Sequence, residues 1–127
     1  MIYADSNILI HLVEDVTEIG DKVRADFAER AHDVGISPLV VLECKVVPLR
    51  NDDQILVRRY ERVLEKLTIL EIAPQAYEDA ARLRARYGLK TLDALHVATA
   101  HFHLCEAFWT HDRRLAAARG GMEMVSL

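Results

Sequence analysis

Apolar residues fall into two alternating rhythms along this chain: short runs of a few residues, and longer stretches in which they recur every third or fourth position. The first rhythm reads as buried strand and the second as amphipathic helix, so their alternation predicts an α/β fold around a parallel sheet. Ile2-Tyr3-Ala4 is the first short run. Asp5-Ser6-Asn7 then carries strand-end and N-cap chemistry, ahead of a helix over 8–13. Ile19, Val23 and Phe27 lie on one face of a second helix, over 18–33. Gly35-Ile36-Ser37 is a minimal strand. Ser37 and Pro38 read as the cap and first residue of a helix bearing Leu39, Val40, Leu42 and Val46, because proline lacks an N–H that this position leaves unpaired anyway. A helix rich in Arg and Leu follows over 52–66.

The second half repeats the alternation. Residues 68–72 read as the clearest strand, and Pro74 opens a helix that runs to Tyr87 and stops at Gly88, a C-cap residue. Thr91 reads as the cap of an apolar helix over 92–104. A strand over 107–110, a short helix opened by Asp112 and ended near Gly120-Gly121, and a last strand over 122–125 complete the chain. Five strands too short to expose both faces, separated by helices, predict a three-layer α/β/α fold with a central parallel sheet of four to five strands. No repeat, low-complexity tract or linker interrupts the pattern, so residues 1–127 are expected to form one domain.

Composition narrows the class. A chain 51% hydrophobic with 3 Pro and 5 Gly is neither disordered nor collagen-like. No apolar run approaches the ~20 residues that span a bilayer, so no membrane association is expected. Strand-like residues follow Met1 directly, which leaves no room for a leader and makes the cytoplasm the expected compartment. Cys44 and Cys105 have no CxxC spacing and read as buried reduced thiols, in agreement. The net charge of −4 argues against a protein that holds polyanions by bulk positive charge. If four carboxylates served a metal site, however, the remaining 16 acids would balance the 16 Lys and Arg.

Four acids stand where a sequence selected only for folding would not place them. Asp5 ends an apolar strand, Glu43 sits within Val40-Val41-Leu42-Glu43-Cys44, Asp93 within Leu92-Asp93-Ala94-Leu95-His96-Val97-Ala98, and Asp112 follows Phe108-Trp109-Thr110-His111. A buried lone carboxylate is costly unless paired or bound to a cation. Taken singly, each has a plainer explanation. Asp5 and Asp112 suit helix N-caps, and Asp93 suits a first turn favoured by the helix dipole. Glu43, beyond the first turn of a mostly apolar stretch, has the poorest such explanation, an exposed helix face. Topology couples them. In an open parallel sheet the strand C-terminal ends share one edge, and ligands bind where strand order reverses. If the first and fourth strands are neighbours there, all four acids converge on one pocket. Clustered carboxylates cannot all ionise without a cation among them, and hard oxygen donors select Mg²⁺ or Mn²⁺ over zinc.

On these residues the chain resembles PIN-domain ribonucleases, and in particular the VapC family of toxins from prokaryotic toxin–antitoxin pairs. Tyr3-Ala4-Asp5-Ser6-Asn7-Ile8-Leu9-Ile10 is similar to the opening acidic motif of that family, and Ser37-Pro38-Leu39-Val40-Val41-Leu42-Glu43 to the second. Leu92-Asp93-Ala94-Leu95-His96-Val97-Ala98-Thr99-Ala100 resembles the third and most specific motif, and Thr110-His111-Asp112 the last. The likeness extends over essentially the whole chain. One departure stands out: where many relatives have a further Asp or Asn and then Phe, Arg113-Arg114-Leu115 follows Asp112, which leaves a second metal position open.

The resemblance implies a Mg²⁺-dependent endoribonuclease, with Mn²⁺ as an alternative ion, that hydrolyses RNA phosphodiesters to 5′-phosphate and 3′-hydroxyl ends. Asp5 and Asp93 would be the main metal ligands. Glu43 and Asp112 would orient waters, complete the shell or hold a second ion, so all four are catalytic and metal candidates. Ser6, Asn7 and Thr110 are candidate donors to these carboxylates, with ordinary capping as the equal alternative. Arg113 and Arg114 are candidates for the RNA backbone. Arg58, Arg59 and Arg62 read better as a solvated helix face. The family further implies a homodimer silenced by a small cognate antitoxin, the helices over 18–66 being a candidate dimer surface. The alternatives are a housekeeping RNA-processing nuclease without an antitoxin, and a PIN-like scaffold that binds without cleaving.

His96, His101, His103 and Cys105 lie close in sequence but fit no zinc spacing, since residues two apart on a helix do not face one another. His111 reads as an exposed turn residue. A haloacid-dehalogenase-type phosphatase needs a second Asp two residues after its nucleophile, where Asn7 stands after Asp5. A receiver domain needs its phosphoacceptor after a central strand, whereas Asp93 opens a helix.

Overall fold

The structure, a computed structural model, describes residues 1–125. Five strands form one sheet in the order β3-β2-β1-β4-β5, all neighbours parallel: β1 (Ile2–Ala4), β2 (Val34–Ile36), β3 (Thr68–Ile69), β4 (Ala107–Trp109) and β5 (Glu123–Val125). Strand order therefore reverses at β1, which pairs with β2 on one side and β4 on the other. The register sets Tyr3 beside Phe108 and Ala4 beside Trp109. Tyr3, Phe108 and Trp109 are all buried, and the rings of Tyr3 and Phe108 stack with centroids 5.3 Å apart. With helices on both faces, β1, β2 and β4 are buried throughout, which is why they read as continuous apolar runs.

Six α-helices connect the strands: α1 (Ser6–Glu14), α2 (Glu18–Arg30), α3 (Pro38–Arg50), α4 (Gln54–Leu64), α5 (Pro74–Tyr87) and α6 (Thr91–Phe102). The first four pack among themselves, and α5 packs along α6 and a 3-10 turn over Arg113–Ala118. α5 ends as expected, with Gly88 in the left-handed region at φ 69° and its N–H donating to Arg84 O. α1 and α2 approach so closely that a Cβ built on Gly20 would lie 1.9 Å from the Asp15 carbonyl oxygen. The Arg24 guanidinium covers the same end of α1, donating to Asp15 O at 2.7 Å and Leu12 O at 3.2 Å. Gly20→Ala is thus expected to cost ~2–3 kcal/mol, because rigid backbone must yield. Urea denaturation checks this, and an unchanged midpoint would show that the α1–α2 junction has slack.

Several boundaries differ from the sequence expectation. The strand expected over 68–72 is only two residues long and exposed, because β3 is the sheet edge. A single further bond, Leu70 N–H to Ile36 O at 2.7 Å, follows it. Thr91 is the first residue of α6 and not its cap; Lys90 holds that position without a side-chain bond. α6 ends at Phe102 instead of 104, with Leu104 at φ 56° turning the chain. Ser37 does occupy the cap position of α3, but its hydroxyl makes no capping bond.

Candidate active site

The acids emerge at the carboxyl edge of β1 and β4. Asp5 follows β1, and its backbone N–H donates to Trp109 O at 2.9 Å, the last bond before the chain leaves the sheet. Its carboxylate is 4% exposed. Oδ1 accepts from the Ser6 backbone N–H at 2.7 Å and the Ser6 hydroxyl at 3.4 Å. Oδ2 accepts from Asn7 Nδ2 at 3.2 Å and from Thr110 Oγ1 at 3.0 Å. Asp5 therefore caps α1 while collecting donors from the loop after β4. The same loop is fastened twice more, by His111 N–H to Asn7 Oδ1 at 3.1 Å and by Asp112 N–H to Thr110 Oγ1 at 3.0 Å.

Glu43 lies in the interior of α3, half-buried, with Oε1 2.5 Å from His96 Nε2. His96 Nε2 also stands 3.7 Å from Asp5 Oδ1. One imidazole thus links the first and second acidic segments. Asp93, in the first turn of α6, is one helical turn before His96 and half-buried. Its carboxyl is held above the ordinary carboxylate range, first by burial and then by the negative charges of Asp5 and Asp112. His96 and Arg114 pull in the opposite direction. Beside Asp93 lies a cavity of about 200 Å³, lined also by Tyr87, Lys90 and Arg114.

Asp112 precedes the 3-10 turn. Its Oδ1 accepts from the Arg114 backbone N–H and from Arg114 Nε, both at 3.0 Å. Its Oδ2 accepts from Arg114 Nη2 at 2.6 Å and from Nε at 3.1 Å. This clamp holds the Asp112 carboxyl below its ordinary range. Arg114, a candidate for the RNA backbone, is exposed and paired here with the fourth acid.

Side by side, Asp5 and Glu43 meet through His96, and Asp93 lies within electrostatic reach of Asp5 and Asp112. Among the described residues, no three His, Cys, Asp or Glu side chains stand close enough to hold a metal ion between them. The reason is visible in the partners: Asp5 is satisfied by Ser6, Asn7 and Thr110, Glu43 by His96, and Asp112 by Arg114. The donor set itself, all oxygen and drawn from the ends of β1 and β4 and the adjoining helices, fits a hard divalent ion.

The residue that sequence reading missed is His96. It was grouped with His101, His103 and Cys105, which the structure separates. His101 Nε2 lies 3.1 Å from Ala118 O, His103 Nε2 lies 2.8 Å from Glu71 O, and Cys105 is a buried thiol. The available signal was a polar ring inside the apolar run Ala94-Leu95-His96-Val97-Ala98, one turn after Asp93. His111 is exposed, as expected, and meets the His11 ring edge-on at 5.1 Å. Arg59 donates to Val13 O at 2.5 Å, and with Arg24 and Arg62 it lines a separate open groove of about 340 Å³.

Fold and site together define an α/β domain whose acids Asp5 and Asp112 follow the two strands that flank the switch point of a parallel sheet, β1 and β4. The chain belongs to the PIN-domain family, whose model matches residues 2–121. No curated protein sequence matches it. Solved structures match closely in fold. A chain of VapBC2 from Rickettsia felis, bound to a DNA fragment from its promoter, superposes with a TM-score of 0.82 at 15% identity, over 99% of this chain and 98% of that one. A toxin–antitoxin complex from Klebsiella pneumoniae gives 0.80 at 24% identity, over 99% and 97%. VapC20 from Mycobacterium tuberculosis, described as a sarcin–ricin loop cleaving toxin, gives 0.78 at 15% identity, over 93% and 95%. The three-layer fold expected from the sequence is thereby shown, with five strands in its sheet.

Proposed function

We propose that this PIN domain is a divalent-cation-dependent endoribonuclease and the toxin of a VapBC-type pair. The observation that carries the reading is the arrival of Asp5, Asp93 and Asp112 at the β1/β4 edge, with Asp93 raised by burial and then by the charges of the other two. PIN domains are generally nucleases, and the neighbours in fold include toxin–antitoxin complexes and an RNA-cleaving toxin.

In this reading Asp5 and Asp93 hold Mg²⁺, or Mn²⁺ in its place. A divalent ion held there would supply Lewis-acid chemistry, activating a water and polarising a phosphoryl oxygen. Glu43 and Asp112 orient the attacking water by accepting its hydrogen bonds. Ser6, Asn7 and Thr110 keep Asp5 in position, which limits reorganisation when the cation binds. Arg113 and Lys90 meet the RNA backbone beside the pocket, where the formal charge is otherwise negative. Attack in line with the departing 3′ oxygen leaves a 5′-phosphate and a 3′-hydroxyl. The partner is a small antitoxin that covers the pocket, the active species is a homodimer, and the compartment is the cytoplasm.

Incubation of the purified protein with structured RNA tests the activity. Cleavage is expected with Mg²⁺ or Mn²⁺, none with a chelator, and recovery when either metal is restored in excess. The new 5′ ends should carry phosphate. Intact RNA in both metals, for protein that is folded and free of antitoxin, would contradict the proposal.

A further inference from the structure

Behind Glu43 lies a row of buried polar groups that capping and packing do not explain. His96 is 1% exposed, and Tyr3 and Ser37 are fully buried. Tyr3 Oη lies 2.7 Å from His96 Nδ1 and 2.8 Å from Ser37 Oγ. Ser37 thus spends its hydroxyl on Tyr3 although it occupies the cap position of α3. The far end of the row is His96 Nε2, 2.5 Å from Glu43 Oε1 and 3.7 Å from Asp5 Oδ1.

The partners assign the imidazole tautomer. Nε2 faces two carboxylates, which only accept, so it must carry a proton. Nδ1 faces hydroxyls, which can give as well as take. The Tyr3 hydroxyl donates to Ser37 Oγ, and Nε2–H donates to Glu43. Three elements contribute to it: β1 through Tyr3, the start of α3 through Ser37, and α6 through His96. A phenylalanine at position 3 and any apolar residue at 96 would serve packing alone, since burying polar groups without partners is costly.

We propose that His96, fixed by Tyr3 and Ser37, is a positioning residue that holds the Glu43 carboxylate beside Asp5 at the metal-binding edge. The proposal rests on the nuclease reading for the purpose of that edge, but its geometry does not need a metal. Glu43 sits on a different helix from Asp93 and comes from a different part of the chain. Without the His96 bond, nothing else hydrogen-bonds its carboxylate among the described residues. A hydrogen-bond donor behind a ligand or water-holding carboxylate fixes its rotamer before the cation arrives, and loss of such partners typically lowers metal affinity 10–100-fold.

The test uses Mn²⁺ affinity, read by electron paramagnetic resonance, together with cleavage rate. His96→Leu is expected to weaken Mn²⁺ binding about 10–100-fold, whereas His96→Gln, which can still donate near the Nε2 position, should stay within about threefold of wild type. Tyr3→Phe, which keeps the ring stack on Phe108, should fall between them. The Leu and Gln difference is the decisive readout, because a residue needed only for packing would favour Leu. If His96→Leu fails to fold, Tyr3→Phe and His96→Gln carry the comparison. Equal Mn²⁺ affinity in the folded variants and wild type would overturn the proposal. A long-range ¹⁵N–¹H spectrum separates the two readings: Nε2–H bonded in wild type and disturbed by Glu43→Ala supports the tether. The same spectrum in a wild-type protein that neither binds Mn²⁺ nor cuts RNA would remove the nuclease reading and leave the tether standing. An Nε2 that carries no proton would overturn the tether itself.

Discussion

Asp5→Asn is expected to leave the fold intact and to reduce RNA cleavage by ~1000-fold or more. The amide keeps an oxygen for the Ser6 N–H at the start of α1, so the cap survives. What disappears is the charge at the most buried of the four acids. A metal contributes several kcal/mol to charge stabilisation in the transition state, and each 1.36 kcal/mol is tenfold in rate, so ~4 kcal/mol gives the stated loss. Single-turnover cleavage beside circular dichroism and a melting curve measures both halves of the expectation. Unchanged cleavage would mean that another nuclease accompanied the protein.

The second large effect joins activity to stability with opposite signs. Asp93→Asn should abolish cleavage to a similar degree, yet make the metal-free protein more stable. Burial and the charges of Asp5 and Asp112 raise the Asp93 carboxyl, so the fold disfavours its ionised form. The sign follows from linkage. An acid raised in the folded state costs nothing when protonated in both states, and the cost grows as pH climbs from the ordinary carboxylate range through the raised value. The advantage of Asn is therefore absent below the ordinary Asp pKa of ~3.9 and complete above the raised value. For a half-exposed group screened by solvent, a gain of ~1–3 °C in melting temperature is expected at pH 7. Mg²⁺ should raise the wild-type melting temperature and leave that of the variant unmoved. A variant that melts lower without metal, and still responds to Mg²⁺, would show that Asp93 is a structural acid.

The same balance explains which features were legible in the sequence. Asp5, Glu43, Asp93 and Asp112 drew notice because each breaks an apolar pattern, and the adjacency of the first and fourth strands is what the sheet shows in β1 and β4. Gly88 was legible because a left-handed terminus has few candidate residues. β3 was not, since periodicity reports burial tendency and cannot tell a central strand from an edge that pairs on one side only. Ser37 and Thr91 carry the same local capping signal, yet tertiary context decides: one hydroxyl turns to Tyr3, the other residue enters the helix. His96 and Arg114 were misplaced for a related reason. Their partners Glu43 and Asp112 are set by backbone geometry, 53 residues away in the first case and across a tight turn in the second.

Arg114 has a mechanistic consequence. In its position beside Asp112 it supplies a positive charge and donates to both oxygens of the fourth carboxylate. On the proposed reading, this pairing leaves Asp5 and Asp93 as the two carboxylates for a single ion.

The most direct test is a crystal structure of the Mn²⁺-soaked protein, with anomalous scattering used to locate the ion. A peak at the carboxyl end of β1, within ~2.3 Å of oxygens from both Asp5 and Asp93, is the predicted result. Mn²⁺ bound only elsewhere, or no peak at a concentration that supports RNA cleavage, would contradict the idea that these separated acids serve one cation.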